Sequence, residues 1–237
     1  DIVFAAHDIH KGEVPQVKTK GDFVLLPVAQ EDVALTTVCT LAQRLYAKNQ
    51  RPSAKGKWDF QILSPRHSGT VGVTKLNQRL RELLNPQSPG LSEVRIGNDT
   101  MREGDRVMIV QNDYTLMVFN GDVGKVSRVD RKNKVIEVKI FGEPPKFVNI
   151  EFKKARKLIR LAYACTVHKA QGLEYDVIIM PVVDSFRHQL QRNLLYTAVT
   201  RAKKKVILVG THSALTQAVM NAKQDERNTL FLDRLAA

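Results

Sequence analysis

Two polar segments next to apolar runs hold the residues most able to do chemistry. The first is Thr166-Val-His-Lys-Ala-Gln-Gly-Leu-Glu174, which leads into the apolar run 176–183. The second is Leu195-Tyr-Thr-Ala-Val-Thr-Arg201-Ala, which ends a helical pattern just before the apolar run 205–210. Hydroxyl, imidazole and guanidinium groups bind phosphates well. Two such clusters beside strand-like runs indicate a protein that uses nucleotides or holds a nucleic-acid backbone.

A chain that hydrolyses a nucleoside triphosphate by itself normally carries Gly-x-x-x-x-Gly-Lys-Ser/Thr, whose backbone amides and lysine cradle the phosphates. This sequence contains no such loop, and no apolar run ends in the paired acids expected to hold Mg²⁺. The sequence also begins at Asp1 without a methionine, which we interpret as a piece of a longer protein. We therefore expect it to supply one part of a nucleotide site and to be inactive as an ATPase alone.

The chain is strongly basic, because 37 lysines and arginines stand against 24 acids and give a formal net charge of +13. A surface of this charge favours nucleic acid as the partner, with an anionic membrane or a general solubility charge as weaker alternatives. No apolar run approaches the roughly 20 residues of a membrane span, so we expect no membrane partner. The first residues lack the basic region of a signal peptide.

Cys39 and Cys165 lie far apart and outside any paired-cysteine motif. We expect neither a disulfide framework nor a metal site, and this pattern suits the reducing cytoplasm.

Strand and helix patterns alternate over most of the chain, which predicts an α/β fold with a parallel sheet and helices on both faces. Runs 22–28 and 59–63 are predicted strands, and residues 73–84 a helix stopped by Asn85-Pro86. A loop is expected at 51–57 and a final helix at 225–235. The inward positions predicted for the first two long helices are Ala34, Val38, Leu41 and Leu45, then Leu76, Leu80 and Leu83.

The pattern changes between residues 105 and 160, where short alternating runs are separated by turns and no helix is indicated. Runs 106–110, 124–129 and 134–140 are predicted strands, with turns at Asn120-Gly121 and Lys132-Asn133. Val126 and Val129, or Val135 and Ile140, break strict period-two spacing, so we expect some strand to have a bulge or to end there. We predict a small antiparallel β-barrel at 104–160, inserted into a discontinuous α/β domain formed by 1–103 and 161–237.

Several motifs in order along the chain make it resemble the RecD-like superfamily 1 helicases. The Thr166–Tyr175 segment resembles motif V and Leu195–Ala202 resembles motif VI. Asn120-Gly-Asp-Val-Gly124 and Ile62-Leu-Ser-Pro65 resemble segments of the RecD-like branch. The resemblance implies the second RecA-like, P-loop-NTPase-type domain of such a helicase, carrying its inserted barrel. The partners it implies are single-stranded DNA, an upstream first RecA-like domain and possible subunits of a nuclease complex, with ATP and Mg²⁺ used by the full-length protein.

The resemblance also assigns residues to the nucleotide. Arg201 is similar to the motif VI arginine that reaches the γ-phosphate, where a planar cation stabilises the charge that develops during phosphoryl transfer. Gln171, Gly172 and Glu174 match the nucleotide-facing part of motif V, with Glu174 accepting from the ribose. The alternatives are a solvated Arg201 at a helix end, a Gly172 that only shapes a turn, and a Glu174 that caps a helix.

A second group of residues is assigned to the strand. Thr166 and His168 match positions that face single-stranded DNA, and both can hydrogen-bond phosphates without reading sequence. Lys169 is either a phosphate contact or a solvated charge. The weaker candidates for contacts with DNA are Ser64, Pro65, Asn77, Asn120 and Gly121.

The predicted barrel carries many basic side chains and four aromatic ones. We expect only some of the basic side chains to touch DNA, and Asp122 to order its turn. Tyr114, Phe119, Phe141 and Phe147 are predicted barrel core, with stacking on bases as the alternative. The basic residues are Lys125, Arg128, Arg131, Lys132, Lys134, Lys139, Lys153, Lys154, Arg156, Lys157 and Arg160.

Taken together, these features predict the C-terminal motor part of an ATP-dependent DNA helicase, with the 5′ to 3′ direction implied by the resemblance alone. A non-catalytic scaffold or nucleic-acid-binding subunit of a nuclease–helicase complex is the alternative from another class. A helicase acting on RNA is the third, because no residue here distinguishes the sugar of the strand.

Overall fold

The computed structural model describes residues 1–49, 59–97 and 99–222, which form six α-helices and twelve strands. The helices are α1 (Ile2–Lys11), α2 (Glu31–Asn49), α3 (Val73–Leu84), α4 (Phe152–Leu158), α5 (Arg192–Val199) and α6 (His212–Met220). The strands are β1 (Phe23–Pro27), β2 (Phe60–Ser64), β3 (Glu93–Ile96), β4 (Asp99–Arg102), β5 (Arg106–Ile109), β6 (Val123–Asp130), β7 (Val135–Ile140), β8 (Lys146–Glu151), β9 (Ile159–Leu161), β10 (Ala164–Thr166), β11 (Tyr175–Val182) and β12 (Ala202–Gly210).

The predicted α/β fold is present as a parallel sheet of five strands in the order β1-β12-β11-β2-β10. All five residues of β2 are buried, which requires cover on both faces of the sheet. One group of helices consists of α2 and α3, and the other of α1, α5 and α6; members of each group pack on one another and on the sheet. Along α2, Ala34 and Val38 are fully buried, as the helical spacing predicts.

Helix α3 begins and ends at the predicted residues, but one of its three expected core positions is wrong. Leu76 and Leu80 are fully buried, whereas Leu83 is exposed and Leu84 takes the buried place. The spacing of four residues from Leu76 to Leu80 continues to Leu84, which keeps all three on one face of the helix. Asn85 then ends α3, as expected.

The inserted region is a second sheet, antiparallel, with the strand order β8-β7-β6-β5-β9. The expected bulge lies in β6, where the register with β7 shifts between Val126 and Arg128. Lys132 and Asn133 form the turn between β6 and β7. Strands β3 and β4, which the sequence pattern did not indicate, form a separate antiparallel pair before the sheet begins.

Two expectations for the inserted region are wrong. A helix is present, α4, because Ala155 and Leu158 are buried at helical spacing within a stretch that reads as a run of charges. The four aromatic side chains predicted as core are all exposed: Tyr114, Phe119, Phe141 and Phe147. Aliphatic residues fill the interior instead, with buried side chains alternating along β7 at Ile136, Val138 and Ile140.

Asn120 and Gly121 lie in a turn between the antiparallel strands β5 and β6, as expected, but this turn is only the last part of a longer loop. The predicted loop at 51–57 and the final helix at 225–235 lie outside the described residues.

A buried carboxylate joins the two sheets. Asp105, directly before β5, is fully buried and accepts hydrogen bonds from the Asn85 side-chain amide, the Tyr163 hydroxyl and the backbone N–H of Arg102, each at 2.8 Å. Burial raises the pKa of the Asp105 carboxyl, and these donors oppose the rise. The end of α3, the end of β4 and the link between β9 and β10 are therefore held at one point.

A buried arginine makes the second connection. Arg106, the first residue of β5, is 2% exposed and donates to the Gln61 side-chain oxygen at 3.0 Å and to the Ala162 carbonyl at 3.2 Å. Gln61 lies on β2 of the parallel sheet and also donates to the carbonyl oxygens of Ala162 and Tyr163. Buried polar groups of this kind fix one arrangement, because any other would leave donors and acceptors without partners.

We predict that replacing Asp105 with alanine destabilises the chain by about 2–3 kcal/mol, because two buried donors and the half-buried Asn85 amide lose their acceptor. Chemical denaturation followed by circular dichroism measures this change. Asp99→Ala is the matched control, since the Asp99 carboxylate makes no hydrogen bond to a described residue, and it should change stability by less than about 0.5 kcal/mol. Equal stability of the two variants would contradict the role of Asp105 as a junction.

Candidate strand and nucleotide sites

The parallel sheet separates the candidate residues onto two edges. Strands β2 and β10 end at Ser64 and Thr166, which are paired in register, so both lie at the carboxyl edge of the sheet. The residues Gly172–Glu174 directly precede β11, and Arg201 directly precedes β12, so they lie at the opposite edge. One continuous segment, residues 167–174, therefore connects the two edges.

The distance that this segment covers follows from strand geometry. Ile62 on β2 is level with Ile179 on β11, so the end of β2 is level with Pro181. From that level to Tyr175 is six residues of strand, or about 20 Å. The segment begins with a short 3-10 turn at Val167–Ala170 and then runs on to β11. A residue at each end of it can thus meet a different ligand.

At the carboxyl edge, the residues predicted to face a strand are grouped together. Thr166 is 9% exposed at the end of β10, and His168 is exposed on the turn that follows. Pro65 is half-buried directly after β2 and lines the same groove as His168. Lys169 is half-buried, and its ammonium group donates to the side-chain oxygen of Asn120 at 2.9 Å. Lys169 therefore links the parallel sheet to the loop of the inserted region.

Asn120 is exposed and Gly121 half-buried at the end of that loop. The Asn120 N–H donates to the side-chain oxygen of Asn112 at 2.8 Å. Gly121 has a φ of 102°, a conformation that suits glycine. The structure thus brings this pair next to Lys169, although the two lie far apart in the sequence.

Two of the weaker candidates have structural roles instead. Ser64 is fully buried, and its hydroxyl donates within its own loop to the carbonyls of Arg66 and Val71. Asn77 is 6% exposed; its amide donates to the Ala164 carbonyl at 2.9 Å and its oxygen accepts from the Ala164 N–H at the same distance. These positions correct the expectation that both side chains face DNA, because each is already occupied in shaping the carboxyl edge.

At the opposite edge, Arg201 is held in place by its own helix end. Its Nε donates to the Thr197 carbonyl at 3.1 Å, and its Nη2 donates to the Thr200 hydroxyl at 3.2 Å. The Arg201 carbonyl accepts from the N–H of Tyr175 at 2.9 Å, which ties it to the start of β11. The guanidinium is half-buried and has no carboxylate among its hydrogen-bond partners in the described residues. It is thus a positioned cation that keeps its charge available.

Glu174 has a partner that the sequence reading missed. Its carboxylate forms an ion pair with the Lys203 ammonium at 2.9 Å, and both side chains are more than half exposed. The hydrogen bond from Lys203 lowers the pKa of the Glu174 carboxyl, and the charge of Arg201 adds to that effect. Lys203 could have been found from its place two residues after Arg201, because neighbouring parallel strands β11 and β12 begin side by side.

Gly172 and Gln171 lie between these groups. Gly172 has a φ of 80°, which favours glycine, and apart from its chain neighbours no described residue has an atom within 4 Å of where a side chain would begin. The structure is compatible with both interpretations of Gly172: its conformation shapes the turn, and the open space beside its backbone could admit a ligand. Gln171 is exposed and lines a groove between the 167–174 segment and α5.

That groove has a volume of about 350 Å³ and holds further residues that sequence reasoning missed. His188, Asn193 and Thr197 line it together with His168 and Gln171, and none of its lining residues is acidic. It runs along α5 to Thr197, whose carbonyl accepts from Arg201. No motif pointed to His188 or Asn193, since their neighbourhood depends on how α5 packs beside the 167–174 segment.

The described part of the chain contains no group of three or more histidine, cysteine, aspartate or glutamate side chains placed to hold a metal ion. Within the same ranges, no helix has both the length and the apolar character that crossing a membrane would require. Cys39 and Cys165 are buried free thiols.

Comparison with protein families gives two matches to separate parts of the chain. Residues 161–209 match the UvrD-like helicase C-terminal domain, the region that contains the 167–174 segment and Arg201. Residues 76–140 match the SH3 domain of ATP-dependent RecD-like DNA helicases, which covers much of the inserted sheet.

Curated proteins similar to this chain include RecD2 and RecD proteins. The chain is 31% identical over 237 residues to the ATP-dependent RecD2 DNA helicase of Deinococcus radiodurans, covering all of this chain and 30% of that protein. It is 32% identical over 148 residues to the RecBCD enzyme subunit RecD of Buchnera aphidicola, covering 62% of this chain and 24% of that protein. The chain thus spans about a third or less of the length of these relatives.

Solved structures with a similar fold are Pif1 helicases. A Pif1 helicase from a structure of DNA unwinding at forked duplex DNA aligns with a TM-score of 0.53, covering 99% of this chain and 51% of that one. The Pif1 helicase of Candida albicans aligns with a TM-score of 0.52, covering 99% and 57%. Both are 16% identical to this chain, so they bear on its fold. Together with the family matches and the relatives, the geometry leads to one assignment: this chain belongs to the RecD-like superfamily 1 helicases and carries their C-terminal helicase domain with its SH3 domain.

Proposed function

We propose that this chain is the second RecA-like domain of an ATP-dependent DNA helicase that moves 5′ to 3′ on single-stranded DNA. Residues 1–103 and 161–237 would form that domain, and 104–160 its inserted barrel. The observation that supports the proposal is the 167–174 segment, which begins beside Thr166 and His168 at one edge of the sheet and ends beside Arg201 at the other. The name of the Deinococcus relative, an ATP-dependent DNA helicase, supports it.

In this proposal ATP is bound between this domain and a first RecA-like domain of the same polypeptide. Arg201 would reach the γ-phosphate, since an arginine there stabilises the charge of the transferring phosphoryl group. Gln171, Gly172 and Glu174 would form the wall beside the nucleotide. Because Glu174 is paired with Lys203, a ribose hydroxyl would have to share or replace that partner. Mg²⁺ would be held by the first domain, as the described residues offer no metal-binding cluster.

The strand would cross the carboxyl edge of the sheet. Thr166, His168 and Lys169 would bind its phosphates, with Pro65, Asn120 and Gly121 beside them. These contacts involve phosphate and not base edges, so binding would be independent of sequence and sensitive to salt. The formal net charge of +13 supports a polyanionic partner.

Coupling of the two sites would follow from their shared segment. When the two RecA-like domains close on ATP, Arg201 and the Gly172–Glu174 end would be drawn towards the phosphates. A short stiff segment would transmit that displacement to Thr166 and His168. Opening after hydrolysis would reverse it and step the domain along the strand.

A specific observation keeps a second candidate in place. Several relatives are named as the RecD subunit of the RecBCD enzyme. The alternative is therefore a subunit of a nuclease–helicase complex that binds DNA but does not itself hydrolyse ATP. An intact Gly-x-x-x-x-Gly-Lys-Ser/Thr loop in the upstream domain would favour the motor, and a degenerate one the scaffold.

Competition for binding between matched DNA and RNA strands would show which of the two nucleic acids the protein prefers. The cytoplasm is the proposed location, since two unpaired cysteines suit a reducing compartment.

We predict that the purified 237-residue chain hydrolyses no ATP, with or without single-stranded DNA, because the phosphate-binding loop would be on another domain. A coupled assay of phosphate release measures this. Turnover that disappears in the Arg201→Ala variant would overturn the idea of a divided site.

We predict that Arg201→Ala, made in a protein that also contains the first RecA-like domain, lowers ATP turnover by roughly 10³- to 10⁵-fold while single-strand affinity stays almost unchanged. Arg79→Ala, which removes an exposed arginine of α3, is the matched control and should leave both properties intact. Steady-state ATPase assays and fluorescence anisotropy give the two readouts. A parallel loss of both properties would mean that Arg201 acts on folding and not on ATP.

A further inference from the structure

The loop at 112–121 exposes three large apolar side chains. Tyr114 is 72% exposed, Met117 59% and Phe119 43%. The rings of Tyr114 and Phe119 meet edge to face, with their centroids 6.2 Å apart. A cluster of exposed aromatic side chains on a folded protein marks a surface that meets another molecule.

The backbone of this loop is held by its own hydrogen bonds. Asp113 and Val118 exchange two backbone hydrogen bonds, at 2.8 and 3.0 Å, and Val118 is fully buried. The Asp113 carboxylate accepts from the N–H of Leu116 at 3.0 Å and forms an ion pair with Lys154 of α4. The loop is thus anchored to the interior through Val118, while the rings of Tyr114 and Phe119 are exposed.

A lysine from the neighbouring strand braces the tip. The Lys146 ammonium donates to the carbonyl oxygens of Leu116 and Met117, each at 2.7 Å. Met117 has a φ of 52°, in the left-handed region that non-glycine residues rarely adopt. Contacts that impose such a conformation at the tip keep Tyr114 and Phe119 presented at the surface.

The far end of the loop meets the proposed strand site. Asn120, next to Phe119, accepts the hydrogen bond from Lys169, which follows His168 in the chain. The rings are therefore continuous with the surface where phosphates would bind. A strand that leaves His168 towards the inserted sheet would pass over them.

The charges around the rings suit a nucleic acid. The two acids next to the rings already have partners: Asp113 is paired with Lys154, and Asp122 accepts from the N–H of Phe119 at 2.8 Å. Among the described residues, the other charged side chains that hydrogen-bond to the loop are Lys146 and Lys169. Positive charge beside flat rings is the combination that binds single strands, because phosphates meet the cations and every base has a face that can stack.

We propose that Tyr114 and Phe119 form a stacking platform for the bases of the single strand that crosses Thr166 and His168. The platform rests on the proposed function, which supplies the strand, and adds to it a contact with bases. It also gives the inserted sheet a direct part in holding the strand. Stacking is tolerant of sequence, so the contact raises affinity without selecting a base.

The test compares two fluorescein-labelled strands of about 20 nucleotides, one of oligothymidylate and one with abasic sites in place of bases. Wild-type protein should bind the first strand more tightly, by about 5- to 100-fold in Kd. Tyr114→Ala and Phe119→Ala should each weaken binding of oligothymidylate and leave the abasic strand almost unaffected. Fluorescence anisotropy measures both strands, and circular dichroism verifies that each variant is folded.

Three further variants identify the cause. Tyr114→Phe keeps the ring and should retain affinity, whereas Tyr114→Leu keeps apolar bulk alone and should lose it. Phe147→Ala removes an exposed ring of β8 that lies under Lys139, and it should change neither affinity. If Tyr114→Leu binds as well as wild type, or if Phe147→Ala is as weak as Tyr114→Ala, the platform is wrong and the exposed rings serve a protein partner or general adhesion.

His168→Ala separates this inference from the proposed function. It should weaken binding of both strands, because it removes a phosphate contact and no base contact. Wild-type protein that binds neither strand would overturn the strand site and the platform together. Binding that depends on His168 but is unchanged in Tyr114→Ala and Phe119→Ala would overturn the platform alone.

Discussion

The position of β2 between the parallel strands β10 and β11 is the constraint on which the candidate sites depend. Parallel strands cannot be joined by a tight turn, so the residues between them must return along the sheet to its other edge. The connection has only eight residues, 167–174, and each of its ends therefore meets a different edge. Helix α5 lies in the corresponding connection between β11 and β12, which ends at Arg201, beside Glu174. Both connections run from the carboxyl edge to the opposite edge, so the ends that carry Glu174 and Arg201 lie next to each other.

Buried polar groups hold the inserted sheet against the parallel sheet. An apolar interface would also have excluded water, but it would not have fixed a single relative position of the two sheets. Asp105 accepts three hydrogen bonds and Arg106 joins Gln61, so a displacement of one sheet would leave donors and acceptors unpaired. An apolar contact could slide at much lower cost. The junction thus fixes the position of the loop at 112–121, and the hydrogen bond from Lys169 to Asn120 completes the same connection at the surface.

Regular periodicity predicted elements well, and charge or composition predicted them poorly. The boundaries of α3 follow from its leucine spacing and from Asn85-Pro86, and the bulge in β6 follows from its irregular valines. Helix α4 was missed because its four basic residues mask the two buried positions, Ala155 and Leu158. The aromatic residues of the insertion were misplaced because hydrophobicity predicts burial, whereas Tyr114 and Phe119 lie in a loop whose backbone is held by other groups.

The sequence by itself determined the family, the alternation of strands and helices, and the two motifs whose types suit phosphate chemistry, since these depend on residue identity and local spacing. Tertiary structure decided which candidates are available to a ligand. The side chains of Ser64 and Asn77 could bind phosphate but hydrogen-bond to backbone carbonyls instead. Glu174 forms an ion pair with Lys203, and Lys169 donates to Asn120. Each outcome depends on a partner distant in the chain or in another element. The side-chain groups of Ser64 and Asn77 are buried with their backbone partners, whereas the Lys169 ammonium and the Glu174 carboxylate can each make further hydrogen bonds.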